Sequence, residues 1–247
     1  MIEAHVRPFA AAALALTLAA CAAPVGDDEA ARDEAEATTS AIVGGEPTSG
    51  FAAVGALTRG GSPFCTGTVV ARRTVVTAAH CLEGLRASSI RFALGPNGFA
   101  PQASLRVARA VPHPQYDRRR LTNDIGVLVL AEDAPVALNA SMDRSWVGRE
   151  LAFVGYGATN GFTGRGGGFK RVVTIPVAQV GSTAFAYVDR ARNTCFGDSG
   201  GPALTADESG APVLVGVTSY GDETCSAYGV DTRVDAYRGF IGQAAGL

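Results

Sequence analysis

Beyond residue 50 the chain reads as short runs of Val, Ile, Leu, Thr and Phe broken by Gly, Pro or Asp. That rhythm belongs to strands and turns. It predicts strands at Phe51–Leu57, Thr66–Val70, Thr74–Ala79, Leu105–Val111, Ile125–Leu130, Leu151–Tyr156, Arg171–Val177, Phe185–Val188, Val213–Ser219 and Gly229–Val234. No helical stretch separates successive runs, as the crossovers of a parallel α/β sheet would require, so an all-β fold is expected. Only the end changes period. Tyr237, Phe240, Ile241 and Ala244 recur at three- and four-residue spacing after Asp235, a candidate N-cap, which predicts a C-terminal helix over residues 235–247. A polar, turn-prone stretch near Glu132–Arg149 divides the strands into two groups of about 100 residues, each the size of a small domain.

Composition narrows the function classes. An apolar content of 47% in 247 residues excludes full disorder, and 31 glycines and 12 prolines without a three-residue period exclude collagen and a helical bundle. A net charge of -2 excludes a strongly basic nucleic-acid binder. The charge is uneven, however: residues 1–41 hold 7 acidic and 2 basic side chains, which leaves the remainder at +3. Within that first segment Arg7 precedes an apolar run of 15 residues from Phe9 to Ala23, where a membrane-crossing helix needs roughly 20. No integral membrane domain is expected, and the run reads as a secretory signal. It ends in Leu18-Ala19-Ala20-Cys21, which resembles a bacterial lipobox. That likeness implies lipidation at Cys21 and export to the cell envelope; cleavage near Ala22 or Ala23, with Cys21 lost, is the simpler alternative. Residues 22–41 are acidic and nearly free of large apolar side chains, so they read as a tether or pro-segment.

Cysteine usage agrees with export. Cys65, Cys81, Cys195 and Cys225 remain beyond the leader, an even number that reads as two disulfides. Three pairings are open. Joining neighbours along the chain would close loops worth roughly 3 kcal/mol each in the chain-entropy model. Without a Cys-x-x-Cys motif, and with only His80 and His113 beyond the leader, no metal site is expected.

Scarce histidine directs the search for chemistry, since a base working near neutral pH is most often His. His113 lies in the turn-like Val111–Asp117 and reads as structural. His80 ends Thr77-Ala78-Ala79-His80-Cys81, where a small apolar strand end and an adjacent disulfide would fix its backbone. Ser199 lies in Cys195-Phe196-Gly197-Asp198-Ser199-Gly200-Gly201-Pro202, whose glycines allow the tight turn and close approach that an exposed nucleophile needs. No histidine follows Ser199, which excludes the Ser-acid-His order of α/β-hydrolases, and no Asp lies between Ile42 and His80, which excludes Asp-His-Ser. His-Asp-Ser remains. Of the aspartates between His80 and Ser199, Asp124 opens the apolar run Ile125–Leu130, where an unpaired charge would be expensive and a His N–H would serve as partner.

Four motifs now stand in order: Ile42-Val43-Gly44-Gly45, Thr77–Cys81, Asp124-Ile125 and Gly197–Pro202. Together, from Ile42 to the C-terminus, they resemble the trypsin/chymotrypsin family of serine endopeptidases. The resemblance implies two antiparallel six-stranded β-barrels, about 42–138 and 147–234, with a catalytic triad of His80, Asp124 and Ser199 in the cleft between them. It implies an oxyanion hole from the N–H groups of Gly197 and Ser199, disulfides Cys65–Cys81 and Cys195–Cys225, and no cofactor or metal. Ser219-Tyr220-Gly221 aligns with the segment that pairs with extended substrate, Tyr220 standing where Trp is more usual. Asn193 aligns with the floor of the pocket for P1, the substrate residue just before the cleaved bond. Gly221 and Gly229 align with its walls and Asp231 with its rear. A floor of Asn rather than Asp favours a neutral, apolar or amide side chain at P1; Asp231 could restore attraction for a basic one.

In this family, cleavage before the Ile-Val-Gly-Gly motif frees an α-amine that pairs with the Asp preceding the nucleophile. Here that pair is Ile42 and Asp198, and the cut follows Ala41, which suits an activating protease that prefers small residues. The expected partners are protein or peptide substrates and that activator. Nucleic acid is not expected, membrane contact runs only through Cys21, and the chain is expected to be a monomer. The competing function is a catalytically inactive homologue serving as a surface binding module. Gly161–Gly168 and Arg118-Arg119-Arg120 read as solvated loops.

Overall fold

A computed structural model of the chain describes residues 42–138 and 149–246. The leader, Cys21, the acidic segment through Ala41 and most of the connector between the strand groups lie outside the described residues. Six strands, β2 Val54–Arg59, β3 Ser62–Ala71, β4 Thr74–Thr77, β5 Arg91–Leu94, β6 Ala103–Pro112 and β7 Gly126–Leu130, close into an antiparallel barrel in the order β2-β3-β4-β7-β6-β5. A second antiparallel ring holds β8 Glu150–Gly155, β9 Arg171–Val180, β10 Ala184–Val188, β11 Pro202–Ala206, β12 Pro212–Gly221 and β13 Tyr228–Arg233. Its order is β9-β10-β13-β12-β11-β8, and pairing of β8 with β9 closes it. The two six-stranded barrels and C-terminal helix expected from the sequence are therefore the observed fold. The short β1, Glu46–Pro47, pairs with β9, so the segment just after Ile42 attaches to the second barrel rather than the first.

Period-two alternation accounts for these rings, because each strand must present one face to a barrel interior. Val54, Leu57, Val69, Val75, Phe92 and Leu128 fill the first core; Leu151, Phe153, Ile175, Phe185 and Val215 fill the second. Besides the short β1, two barrel strands, β5 and β11, have no counterpart among the strands the sequence predicts. The first is only 4 residues long and is followed by Gly95-Pro96, while β11 opens on Pro202, which cannot donate to a ladder but is tolerated as a strand's first residue.

Helix α1, Arg238–Ala245, follows a turn of 3-10 helix at Asp235–Tyr237. Tyr237, Ile241 and Ala244 are buried on one face, as their spacing predicts. The capping role expected of Asp235 does not hold. Its carboxylate instead receives the Arg233 guanidinium at 3.0 and 2.6 Å, a charge-assisted pair that outcompetes a neutral amide. No helix among the described residues is long and apolar enough to cross a membrane.

The junction between the barrels is polar. Tyr156 donates its hydroxyl to the Val54 carbonyl at 3.2 Å, and Thr66 Oγ1 both donates to Gly197 O at 2.8 Å and accepts from Tyr156 N at 3.2 Å. Lys170, fully buried, donates Nζ to Gly50 O at 3.2 Å and Phe51 O at 3.0 Å. Burial pushes its pKa down to about 8.

Candidate active site

Asp124 enters the first barrel just before β7 and is wholly buried, so its charge requires partners. It has three. His80 N donates to Oδ1 at 2.9 Å, His80 Nδ1 meets Oδ2 at 2.7 Å, and Ser219 Oγ from β12 donates to Oδ2 at 2.5 Å. With Nδ1–H directed at the carboxylate, the imidazole keeps its Nε2 lone pair free. His80 itself follows β4 and is tied by Cys81 to Cys65 of β3. The donor atoms of Cys65, His80 and Cys81 lie within 4.8 Å of one another, but the two sulfurs are bonded together and offer no thiolate to a metal.

The turn bearing Ser199 is stitched to both barrels. Thr66 N of β3 donates to Ser199 O at 2.8 Å, Gly200 N donates to Thr218 O of β12 at 2.8 Å, and Cys81 Sγ lies 3.5 Å from Ser199 O. Gly200 has φ +80°, and a Cβ there would fall 2.0 Å from Thr77 Oγ1. Only glycine lets the nucleophile turn pack this tightly on Thr77, the end of the strand that leads to His80. Gly197 has φ +99°, and the N–H groups of Gly197 and Ser199 reach no backbone acceptor among the described residues.

Asp198 points inward. Gly157 N donates to it at 2.7 Å and Cys195 N at 2.8 Å, and no Lys or Arg pairs with it among the described residues. Burial pushes its pKa up to about 7 against those two amides. A Cβ on Gly155 or Gly157 would lie 2.0 or 2.4 Å from this carboxylate, so Gly155-Tyr156-Gly157 forms its cradle. The N-terminal segment packs into the second barrel: Ile42 is fully buried in its core and Asn193 N donates to Val43 O at 3.0 Å.

A cavity of about 240 Å³ opens at Ser199, lined on one side by Ser219, Tyr220 and Gly221 and on the other by Thr194 and Phe196. A larger cavity of about 810 Å³, between Phe51, Leu138, Leu204 and Pro212, contains none of these groups. Asn193, expected as the pocket floor, is not among the residues lining the smaller cavity; it is buried next to Thr194, its Nδ2 donating to Tyr228 O at 3.1 Å while Oδ1 has no partner. Cβ atoms on Gly221 and Gly229 would strike Tyr228 O at 2.6 Å and the Tyr187 hydroxyl at 2.3 Å. Asp231 stays out of the cavity. It is fully buried in β13, opposite Phe185 and Thr218, and burial pushes its pKa well above the carboxylate range. The hydroxyls of Tyr187 and Thr218 partly offset that shift without meeting hydrogen-bond geometry.

Sequence reasoning missed Asp222. Its carboxylate receives the N–H groups of Thr224, Ser226, Ala227 and Tyr228 and the Thr224 hydroxyl, fixing the cavity wall that Cys195–Cys225 also braces. Burial opposes its charge, but these donors outweigh it and hold the carboxyl far below its usual range. It also missed the third partner of Asp124, the Gly155–Gly157 cradle and Lys170. The last left a trace, being the single lysine among 21 basic residues. His113, read as structural, packs its ring against Tyr237 and Phe240 at 5.2 and 4.6 Å, and burial lowers its pKa.

Comparison with known proteins places this geometry in context. A family model described as Trypsin matches residues 42–241. The chain is 30% identical over 213 residues to a trypsin of Phaedon cochleariae, covering 73% of this chain and 78% of that one. It is 31% identical over 206 residues to a trypsin of Saccharopolyspora erythraea (74% and 88%), and 26% identical over 196 residues to a chymotrypsin of Phaedon cochleariae (72% and 70%).

Proposed function

The chain belongs to the trypsin family of serine proteases, and from that footing we propose that it hydrolyses peptide bonds through an acyl-enzyme on Ser199, with His80 as base and Asp124 as its orienting carboxylate. Ser199 Oγ attacks the scissile carbonyl carbon while its proton passes to His80 Nε2. The C–N bond breaks as that proton is delivered to the leaving amine. Water then repeats the sequence against the ester, releasing the acid and restoring Ser199. The oxyanion formed at each stage falls to the N–H groups of Gly197 and Ser199, each donor worth on the order of 3 kcal/mol.

The observation that carries this reading is the triply bonded Asp124, whose 2.7 Å contact to His80 Nδ1 leaves Nε2 as a base beside the Ser199 turn. A casein-type assay with a fluorophosphonate probe tests it. Hydrolysis and labelling should both vanish in Ser199→Ala and His80→Ala, and undiminished hydrolysis by Ser199→Ala would refute it.

Activation is read as cleavage after Ala41. The new α-amine of Ile42 would pair with Asp198, a buried carboxylate without a cation of its own, and so order the turn from Cys195 to Ser199. Supporting this is the burial of Ile42 and the bond from Asn193 N to Val43 O. At P1 an uncharged side chain fits best, since Asn193 is neutral and Asp231 is shut away behind Thr218. Glu223 stands exposed at the cavity mouth, where water and salt screen it. The two disulfides accord with an exported enzyme, tethered through Cys21 until the cut releases it.

A further inference from the structure

Beside the cavity at Ser199 lies a second depression of about 70 Å³, and Ser219 and Tyr220 line both. Its outer wall is Arg120, Leu121, Thr122 and Asn123, from the loop between β6 and β7; Thr183 and Ala184 close the far side. That loop carries the run Arg118-Arg119-Arg120, all three exposed.

The loop is built to present these side chains. Asp117 bridges Thr122, and Asp117 Oδ1 receives Arg119 N at 2.8 Å and Arg120 N at 3.1 Å. Asn123 donates to Gln115 O and accepts from the Tyr237 hydroxyl, both at 2.8 Å. The Asp117 carboxylate is therefore turned toward backbone amides. Arg118 meets Glu83 at 3.6 Å, and the side chains of Arg119 and Arg120 have no carboxylate partner among the described residues. An ordered loop thus holds two guanidinium groups without a carboxylate partner among the described residues, Arg120 lining the depression and Arg119 next to it in the chain, and the depression reaches Asn123, one residue from the carboxylate that holds His80.

We propose that this rim is a recognition site for an acidic side chain of the substrate, on the N-terminal side of the scissile bond. The proposal rests on the acyl-enzyme reading, in which a peptide whose P1 residue fills the cavity at Ser199 runs along Ser219–Gly221, carrying its preceding residues over the smaller depression. Guanidinium groups suit carboxylates because their N–H pairs match both oxygens. At exposed positions each pair contributes roughly two- to fivefold, and less as salt rises.

The test uses the protein cut after Ala41 and a peptide series that differs only by Glu, Gln, Leu or Lys at each of the three positions before P1. Initial rates give kcat/KM, and fluorescence anisotropy with the Ser199→Ala protein gives affinity for the same peptides. At one of these positions Glu should exceed Gln on the order of fivefold at about 0.01 M salt and approach parity at about 1 M. The double variant Arg119→Glu, Arg120→Glu should turn that preference toward Lys, a gain that misfolding cannot produce. Equal Glu and Gln values at low salt, a preference for Leu that salt does not alter, or a Glu preference that survives the charge reversal would each overturn the proposal. If no peptide is cleaved and the fluorophosphonate fails to label Ser199, the acyl-enzyme reading falls, and the anisotropy series still decides the charge preference.

Discussion

At the scale of single residues, the donors around Asp124 differ in what they hold. The two His80 bonds set the tautomer and direction of the imidazole, whereas Ser219 satisfies a remaining lone pair of the carboxylate. Asp124→Asn replaces an acceptor by an amide that can itself donate, inviting the wrong tautomer. Its kcat on a peptide amide should fall on the order of 10⁴-fold with KM little changed. Ser219→Ala leaves both His80 bonds and should cost about tenfold, the worth of one hydrogen bond to a charged group. Equal losses in the two variants would show that Ser219 shares in orienting the base. Asp222 offers a contrast, because it touches the cavity wall rather than the reacting groups. An amide cannot accept all the bonds that converge on it. Asp222→Asn should therefore raise KM for substrates with a large P1 residue and cost about 1–3 kcal/mol of stability by denaturant titration. A change confined to kcat would argue against its role in shaping the wall.

At the scale of elements, close approach of backbones decides which substitutions the site tolerates. A methyl on Gly157 would lie 2.4 Å from the Asp198 carboxylate, within the turn that presents Ser199, and Gly157 N and Cys195 N hold that carboxylate in place. Gly157→Ala should lose about 1–3 kcal/mol and most activity together. Gly239→Ala, in α1 with open space around it, should gain about 0.5–1 kcal/mol and leave activity alone. Matched melting curves and casein assays check the pair. The same distinction explains what the sequence could disclose. Alternation of apolar residues names most strands because each must bury one face, and scarcity of histidine with chain order leads to His80, Asp124 and Ser199. The bond from Ser219 to Asp124 spans 95 residues and that from Gly157 to Asp198 spans 41, and neither leaves a local pattern. Pro202 hides the start of β11 for a related reason, since its ring argues against a strand while its position at the strand's first residue permits one. Asp235 shows the reverse error, a local cap signal overridden by a guanidinium two residues away.

For the whole molecule, two buried charges give folding stability a pH dependence that activation should change. Asp198 has its pKa pushed up to about 7 by burial, so between about pH 4 and pH 7 the folded chain holds a proton that the unfolded chain has released. Stability must fall as pH rises through that window. Lys170, pushed down to about 8 by burial, acts in the opposite sense: between about pH 8 and pH 10 the unfolded chain binds the extra proton, and stability rises. Asp189, Asp207 and Asp222, held below the usual carboxylate range, contribute their pH dependence mainly below pH 4, whereas Asp231, also raised by burial, adds to the decline and His113, lowered by burial, opposes it below about pH 6.5. Thermal melts of the uncut Ser199→Ala chain should therefore show a decline that Asp198→Asn makes shallower and an alkaline recovery that Lys170→Met removes. Cleavage after Ala41 supplies Asp198 with the Ile42 α-amine, which draws its pKa back toward the ordinary range. The cut chain should then keep at pH 7 the stability that the uncut chain has lost, until the amine itself deprotonates at more alkaline pH. Superimposable pH profiles for cut and uncut protein would mean that Ile42 and Asp198 never pair, and the activation reading would have to be abandoned with the triad untouched.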